Sequence, residues 1–223
     1  MTKHIFIYWH QGWDEAPEIC KICKQTWVDK NPDWEVIALD RNSIKDFLPL
    51  ATIEAASRIK PIQTCTDLLR LALVAAHGGL WVDATHFCNK SLTSWLTEDL
   101  LYEGLYLTYK HRKDPVQKIN FLYASGAGNI FFKGFVEHTL KKIATGDFNF
   151  TGSYKNWQHR LNRSWRRYLV KNFGTDHHKV LFARQTPRKD ELIIANSLPK
   201  MQASVDDNFK AAVEVCAFFK LTW

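Results

Sequence analysis

The 223-residue sequence lacks any hydrophobic run long enough to cross a bilayer. Its most apolar stretch, Leu68 to Ala76, is interrupted by Arg70 and falls far short of the ~20 residues a membrane helix needs. Residues 1–15 carry neither the long apolar region nor the small-residue cleavage site of a secretory signal, so a cytoplasmic setting is expected. Cysteine is sparse and odd in number: Cys20, Cys23, Cys65, Cys88 and Cys216. That count excludes a disulfide scaffold and fits a reducing compartment. Cys20 and Cys23 form the one C-x-x-C, and no second pair at matching spacing completes a zinc site. The pair lies inside an apparent helix rather than at its start, so two ordinary helix residues are the favoured reading over a redox motif. Glycine (10) and proline (7) are too few and too scattered to form a linker, and no repeat or low-complexity tract divides the chain. There is no P-loop, and Gly126-Ala127-Gly128 lacks the third glycine of a dinucleotide-binding turn.

Acid is scarce in one region only. Residues 1–150 hold 17 Lys+Arg against 17 Asp+Glu, whereas residues 151–223 hold 13 against 6, which accounts for the whole net charge of +7. A segmental excess of this kind suits nucleic acid, an anionic membrane or phosphorylated substrates in that region alone. The composition, 46% hydrophobic and 24% charged, is that of a globular protein. The length allows one large domain or two small ones.

The first 90 residues alternate strand and helix signals. His4 to Trp9 reads as a strand, and Trp34 to Leu39 as a second. Between them, Pro17 opens a helix whose apolar positions are Ile19, Ile22, Cys23 and Trp27. Ser43 is placed to cap a short helix through Phe47. A strong helix is predicted from about Thr66 to Ala76, ended by His77-Gly78-Gly79, with a buried strand at Leu80 to Val82. Further on, Gly104 to Tyr109, Leu192 to Ala195 and Val213 to Phe219 read as strands, and Ile130 to Ile143 and Lys155 to Lys171 as helices. The pattern predicts an α/β fold with a mainly parallel, mixed central sheet.

One block carries chemistry. Asp67 and Arg70, three residues apart, share a helix face. The helix runs through Gly78-Gly79 and Leu80-Trp81-Val82 into Asp83-Ala84-Thr85, an acidic residue at the carboxyl end of a strand, where open α/β sheets bind ligands. A carboxylate there meets a divalent ion or ligand hydroxyls, and an arginine takes phosphate or sugar oxygens. Alone, the Asp67–Arg70 pair would be a surface ion pair; the Gly-Gly-strand-Asp context favours the functional reading.

This order resembles the glycosyltransferases with a DXD-containing sugar-binding region, most closely their capsular polysaccharide synthesis branch. The family pattern places an acid, two apolar residues and Arg on a helix, then Gly-Gly, an aromatic-containing strand and Asp-X-Asp. Here it is met by Asp67-Leu68-Leu69-Arg70, Gly78-Gly79, Leu80-Trp81-Val82 and Asp83-Ala84-Thr85, with threonine in place of the final Asp. Trp9-His10-Gln11-Gly12-Trp13, Asn31-Pro32-Asp33-Trp34, the Ala124–Asn129 region and Lys220-Leu221-Thr222-Trp223 match as well, leaving 147–212 poorly matched. The resemblance implies a single GT-A-type domain over 1–223, with a nucleotide-sugar-binding half at 1–90 and an acceptor-side half at 91–223. It implies a UDP- or GDP-sugar donor, a divalent Mn²⁺ or Mg²⁺, and transfer with retention to a glycan or lipid-linked saccharide. Asp67, Arg70 and Asp83 would act on the donor sugar. Trp9, Gln11, Trp13, Gly79, Thr222 and Trp223 would border the donor. Asp83 and Thr85 would serve the metal, Thr85 as the poorer ligand because a hydroxyl binds hard cations less well than a carboxylate. No glycosidase-type carboxylate pair is visible.

Several residues keep two readings. Trp9 and Trp13 are core aromatics or base-stacking platforms, and Thr222-Trp223 is a frayed end or part of the donor site. His86, His177 and His178 are metal ligands or ordinary surface histidines, the adjacent pair lacking the i,i+4 spacing of a ligand pair. Lys155 to Lys171 carries six Lys/Arg and no acid; Trp157, Leu161, Trp165 and Tyr168 share one face, and Arg160, Arg163, Arg167 and Lys171 another. The favoured reading packs the aromatics inward and leaves the basic face in water. The alternatives are peripheral contact with an anionic membrane at the cytoplasmic face and nucleic-acid binding, for which no motif exists. A non-catalytic nucleotide-sugar-binding protein of the same fold is the second functional class.

Overall fold

Alternating side chains on two short strands set the architecture. In β1 (His4–Tyr8) and β3 (Gly79–Val82), Ile5, Ile7, Leu80 and Val82 point to one side of the sheet, and Phe6, Tyr8 and Trp81 to the other. The register pairs Ile5 with Leu80, Phe6 with Trp81 and Ile7 with Val82, so each face is apolar and each needs a helical layer. The computed structural model describes residues 2–59, 62–94, 105–111, 114–124, 126–146, 164, 167–168, 171–172 and 218–220.

The first face is covered by α1 (Glu18–Lys30), which buries Cys20, Cys23 and Trp27, a stripe at i, i+3 and i+7. Ile22 lies off that stripe and is 45% exposed, contrary to the sequence expectation. The second face carries α2 (Leu50–Ser57), α3 (Ile62–His77) and α4 (Ile130–Ala144). α3 begins four residues before the predicted Thr66 and is buried on nearly every side, because the sheet, α2 and α4 all pack on it. Its burial includes Asp67 and Arg70, which a surface ion pair would not share.

Among the described residues the main sheet has five strands in the order β2-β1-β3-β6-β5, with β2 at Glu35–Leu39, β5 at Leu105–His111 and β6 at Asp114–Ala124. β2, β1 and β3 are mutually parallel; β6 is antiparallel to both β3 and β5, so it alone runs the other way. The mainly parallel, mixed sheet expected from sequence is therefore present. β6 had no counterpart in the sequence reading. A small second sheet pairs β4 (His86–Cys88) with β7 (Phe218–Lys220) antiparallel.

Two glycines make the α3–β3 junction possible. Gly78 and Gly79 have φ of +69° and +81°. A Cβ on Gly78 would lie 2.6 Å from the Gly126 backbone, and one on Gly79 would lie 2.6 Å from the His4 carbonyl oxygen. The short 3₁₀ turn at Ser43–Asp46 is capped differently from expectation. The Asp40 carboxylate accepts from the amides of Asn42 (2.7 Å) and Ser43 (2.9 Å), while Ser43 Oγ accepts from the Asp40 amide.

Of the basic segment Lys155–Lys171, the described residues include Tyr168, whose ring meets Phe135 and His138 of α4 and whose hydroxyl fills the notch at Gly134. Arg167 and Lys171 are exposed. The remainder of that segment, the expected strand at Leu192 to Ala195, and residues 213–217 of the expected strand at Val213 to Phe219 lie outside the described residues. Among the described residues, no helix is long and apolar enough to cross a membrane.

Candidate functional site

Parallel pairing of β1, β2 and β3 brings their carboxyl ends to one edge. Residues Trp9–Trp13 leave β1 there, the Asp40 turn leaves β2, and Asp83–Thr85 leaves β3. α3 passes beneath the same edge and supplies Asp67 and Arg70, which are 1% and 3% exposed.

Arg70 joins the two acids. Its Nη2 pairs with Asp67 Oδ1, and its Nη1 donates to Asp83 Oδ1 at 3.2 Å. Trp81 Nε1 donates to that same Asp83 oxygen at 3.1 Å. Trp81 on β3 and Asp83 just past its end are two residues apart, a spacing that puts both side chains on the same side. Arg70 Nε is buried without a hydrogen-bond partner among the described residues. Two carboxylates to one guanidinium leaves the group one negative charge in formal balance. A charge buried this deeply is stable only when paired, so these three side chains are interdependent. The structure therefore brings together all three residues expected to act on the donor sugar.

Asp83 is held from the main-chain side too. Its amide donates to Nδ1 of His86 at 3.1 Å, and the His86 amide donates back to the Asp83 carbonyl at 2.8 Å. His86 is fully buried, and its carbonyl accepts from Trp27 Nε1 at 2.7 Å. Asn31, also at the end of α1, donates to the Trp27 carbonyl and to Cys88 Sγ and accepts from the Leu92 amide. His86 thus uses Nδ1 as an acceptor within the fold, which replaces the metal-ligand reading.

Thr85 is buried beside Asp83. Among the described residues, no group of three His, Cys, Asp or Glu side chains is gathered as metal ligands. Asp83 Oδ1 already accepts from Arg70 and Trp81. This donor set fits a divalent ion that takes most of its oxygens from a bound diphosphate. It does not fit an ion held by these side chains alone, since such cations want six or more oxygens.

At the β1 edge, Trp9 and Trp13 both pack partly buried against the core that contains Trp27. Trp13 Nε1 donates to the Leu39 carbonyl at 3.1 Å, and Lys24 Nζ lies 4.8 Å over its ring. Gln11 is exposed at the tip of this loop. Tyr8 Oη and His10 Nδ1 are 2.8 Å apart, and burial pushes the Tyr8 hydroxyl well above the ordinary phenol range. Neither this pair nor Asp40 was singled out from sequence. Gly79 does not join the edge. It starts β3, about 13 Å of strand away from Asp83, and its role is the close approach to His4. Thr222 and Trp223 lie outside the described residues. β7 runs antiparallel to β4 with Lys220 opposite His86, so its carboxyl end faces the Asp83–Thr85 end of β4.

Comparison with known proteins bears on the family and the fold. A family model described as capsular polysaccharide synthesis protein matches residues 1–145. The O-glycosyltransferase braB of Annulohypoxylon truncatum is 25% identical over 171 residues, covering 69% of this chain and 40% of that protein. The O-glycosyltransferase PaGT of Phomopsis amygdali is 27% identical over 137 residues, covering 53% and 33%. The chain thus matches about two fifths and one third of the lengths of these relatives. Among solved structures, the PaToxG glycosyltransferase shares the fold, with a TM-score of 0.55 at 13% identity, over 82% of this chain and 74% of that one.

Proposed function

The chain belongs to the capsular polysaccharide synthesis protein family, and from that membership we propose that it is a glycosyltransferase moving a sugar from a UDP- or GDP-sugar to a hydroxyl of a glycan or lipid-linked saccharide. The supporting observation is Arg70, buried between Asp67 and Asp83 at the carboxyl ends of the parallel strands. The two curated relatives are O-glycosyltransferases by name, which favours an oxygen acceptor.

In this reading, Asp67 and Asp83 accept hydrogen bonds from hydroxyls of the donor sugar, and Arg70 fixes both carboxylates. Cleavage of the sugar–diphosphate bond leaves positive charge on the sugar and negative charge on the leaving group. The net negative charge of the trio suits the former. A bound Mn²⁺ or Mg²⁺, held by Asp83 with Thr85 beside it, would supply countercharge for the latter. Trp9, Gln11 and Trp13 border the nucleotide, and Thr222 and Trp223 approach its β-phosphate. Retention of anomeric configuration belongs to the same reading. The basic face that includes Arg167 and Lys171 would serve peripheral contact with an anionic membrane bearing a lipid-linked acceptor.

A thermal-shift screen of nucleotide sugars with and without Mn²⁺ tests this. One base and sugar should raise the melting temperature of the wild type and leave Asp83→Ala unmoved. Stabilisation by no donor would overturn the proposal. Stabilisation by a donor that EDTA leaves unchanged and that never turns over would favour a binding protein of the same fold.

A further inference from the structure

We propose that His86 is the positioning residue for Asp83. This rests on the reading that Asp83 contacts the donor.

Asp83 is gripped from two sides. Its carboxylate is held by Arg70 and Trp81. Its main chain is held by His86, whose ring accepts the Asp83 amide at 3.1 Å and whose amide returns a bond to the Asp83 carbonyl at 2.8 Å. The backbone of His86 is itself fixed by the Trp27 indole at 2.7 Å and by pairing with Lys220 of β7. An imidazole with no solvent exposure is costly to bury, and an aliphatic side chain would fill the same space. What the imidazole adds is an acceptor on a short, rigid arm, aimed at the amide of the residue whose carboxylate completes the site. To accept that amide, Nδ1 carries no proton, so the neutral ring is the Nε2–H tautomer.

The backbone contacts of residue 86 survive a change of side chain; the acceptor does not. His86→Leu therefore keeps the fold and loosens the direction of Asp83. His86→Asn places an amide oxygen near the position of Nδ1 and restores the acceptor. A displacement of about 1 Å at a reacting group costs on the order of 100-fold in rate.

The test has two parts. In the ¹⁵N-labelled wild-type chain, a scalar coupling across Asp83 N–H···Nδ1 should appear, with His86 protonated at Nε2. A ring protonated at Nδ1 would overturn the proposal without any variant being made. In turnover with the donor found by the thermal-shift screen, His86→Leu should lower kcat roughly 10- to 100-fold with KM nearly unchanged, and His86→Asn should recover most of the loss. Wild-type kcat in His86→Leu beside an inactive Asp83→Ala would overturn the positioning role and leave the active-site reading standing. Wild-type kcat in Asp83→Ala would overturn that reading and this proposal together.

Discussion

Arg70 Nη1 lies 3.2 Å from Asp83 Oδ1, an ion pair between the middle of a buried helix and the end of the strand that follows it. Through it the α3–β3 unit supplies both the packing of the domain and the charges of its candidate site. The same guanidinium holds Asp67 on its own helix, so a change at Arg70 acts on both carboxylates.

Arg70→Lys should expose that dependence. A lysine ammonium cannot reproduce the planar fork that reaches two carboxylates at once. Loss of one charged hydrogen bond should cost about 1.5–3 kcal/mol in chemical denaturation, together with a loss of donor-induced stabilisation. Wild-type stability in this variant would show that the bridge carries no weight in the fold.

Gly79→Ala separates packing from function. The left-handed backbone alone costs a non-glycine residue roughly 1–2 kcal/mol, and the added Cβ would press on the His4 carbonyl at 2.6 Å. A lowered melting temperature is expected, with unchanged donor affinity in the folded protein. A stable variant with weakened donor binding would return Gly79 to the donor site.

The thiols offer a check on the core. Burial, and then the neighbouring Cys20, push the Cys23 thiol up to about 12, and burial pushes Cys88 up to about 11. At pH 8 both are neutral and enclosed, as Cys20 and Cys65 are enclosed. Iodoacetamide should leave all four unmodified in the native protein and label them on unfolding, as read by peptide mass spectrometry. Rapid native labelling of Cys20 or Cys23 would revive a redox role.

Asp40 gives a signed pH dependence. Hydrogen bonds from the Ser43 and Asn42 amides hold its carboxyl below the ordinary value of 3.8. A depressed folded-state value contributes stability that is complete above 3.8 and lost as pH falls through the folded value. Asp40→Asn, which keeps an Oδ1 acceptor but loses the charge, should therefore be slightly less stable than the wild type at neutral pH, and the gap should close in acid, as read by chemical denaturation across pH. A gap that persists in acid, once the carboxyl is protonated, would place the cost elsewhere.

The sequence displayed the α3–Gly-Gly–β3–Asp83 block because its signals are local: helical spacing, two adjacent glycines, a short apolar strand. It showed Asp67 and Arg70 as neighbours at i, i+3, but the third partner stands thirteen residues further on and is delivered only by the turn at Gly78-Gly79. β6 was hidden because Gln117, Lys118 and Asn120 interrupt its apolar pattern, and its order comes from pairing on both sides with β3 and β5. His86 stays open between a metal ligand and an ordinary histidine in the sequence, because the two look alike in a string of letters; the amide that it accepts is visible only in three dimensions. The resemblance implies a place at the donor for Gly79, whereas the constraint visible in the structure comes from β1, far away in the chain.

The account is tested most directly by following release of nucleoside diphosphate from the stabilising donor, in the presence of Mn²⁺, for the wild type and for Asp83→Ala. It predicts slow release by the wild type even without acceptor, faster release when a saccharide acceptor is added, and at least a 100-fold loss (on the order of a catalytic contact) in the variant. Equal release by the two proteins would contradict it.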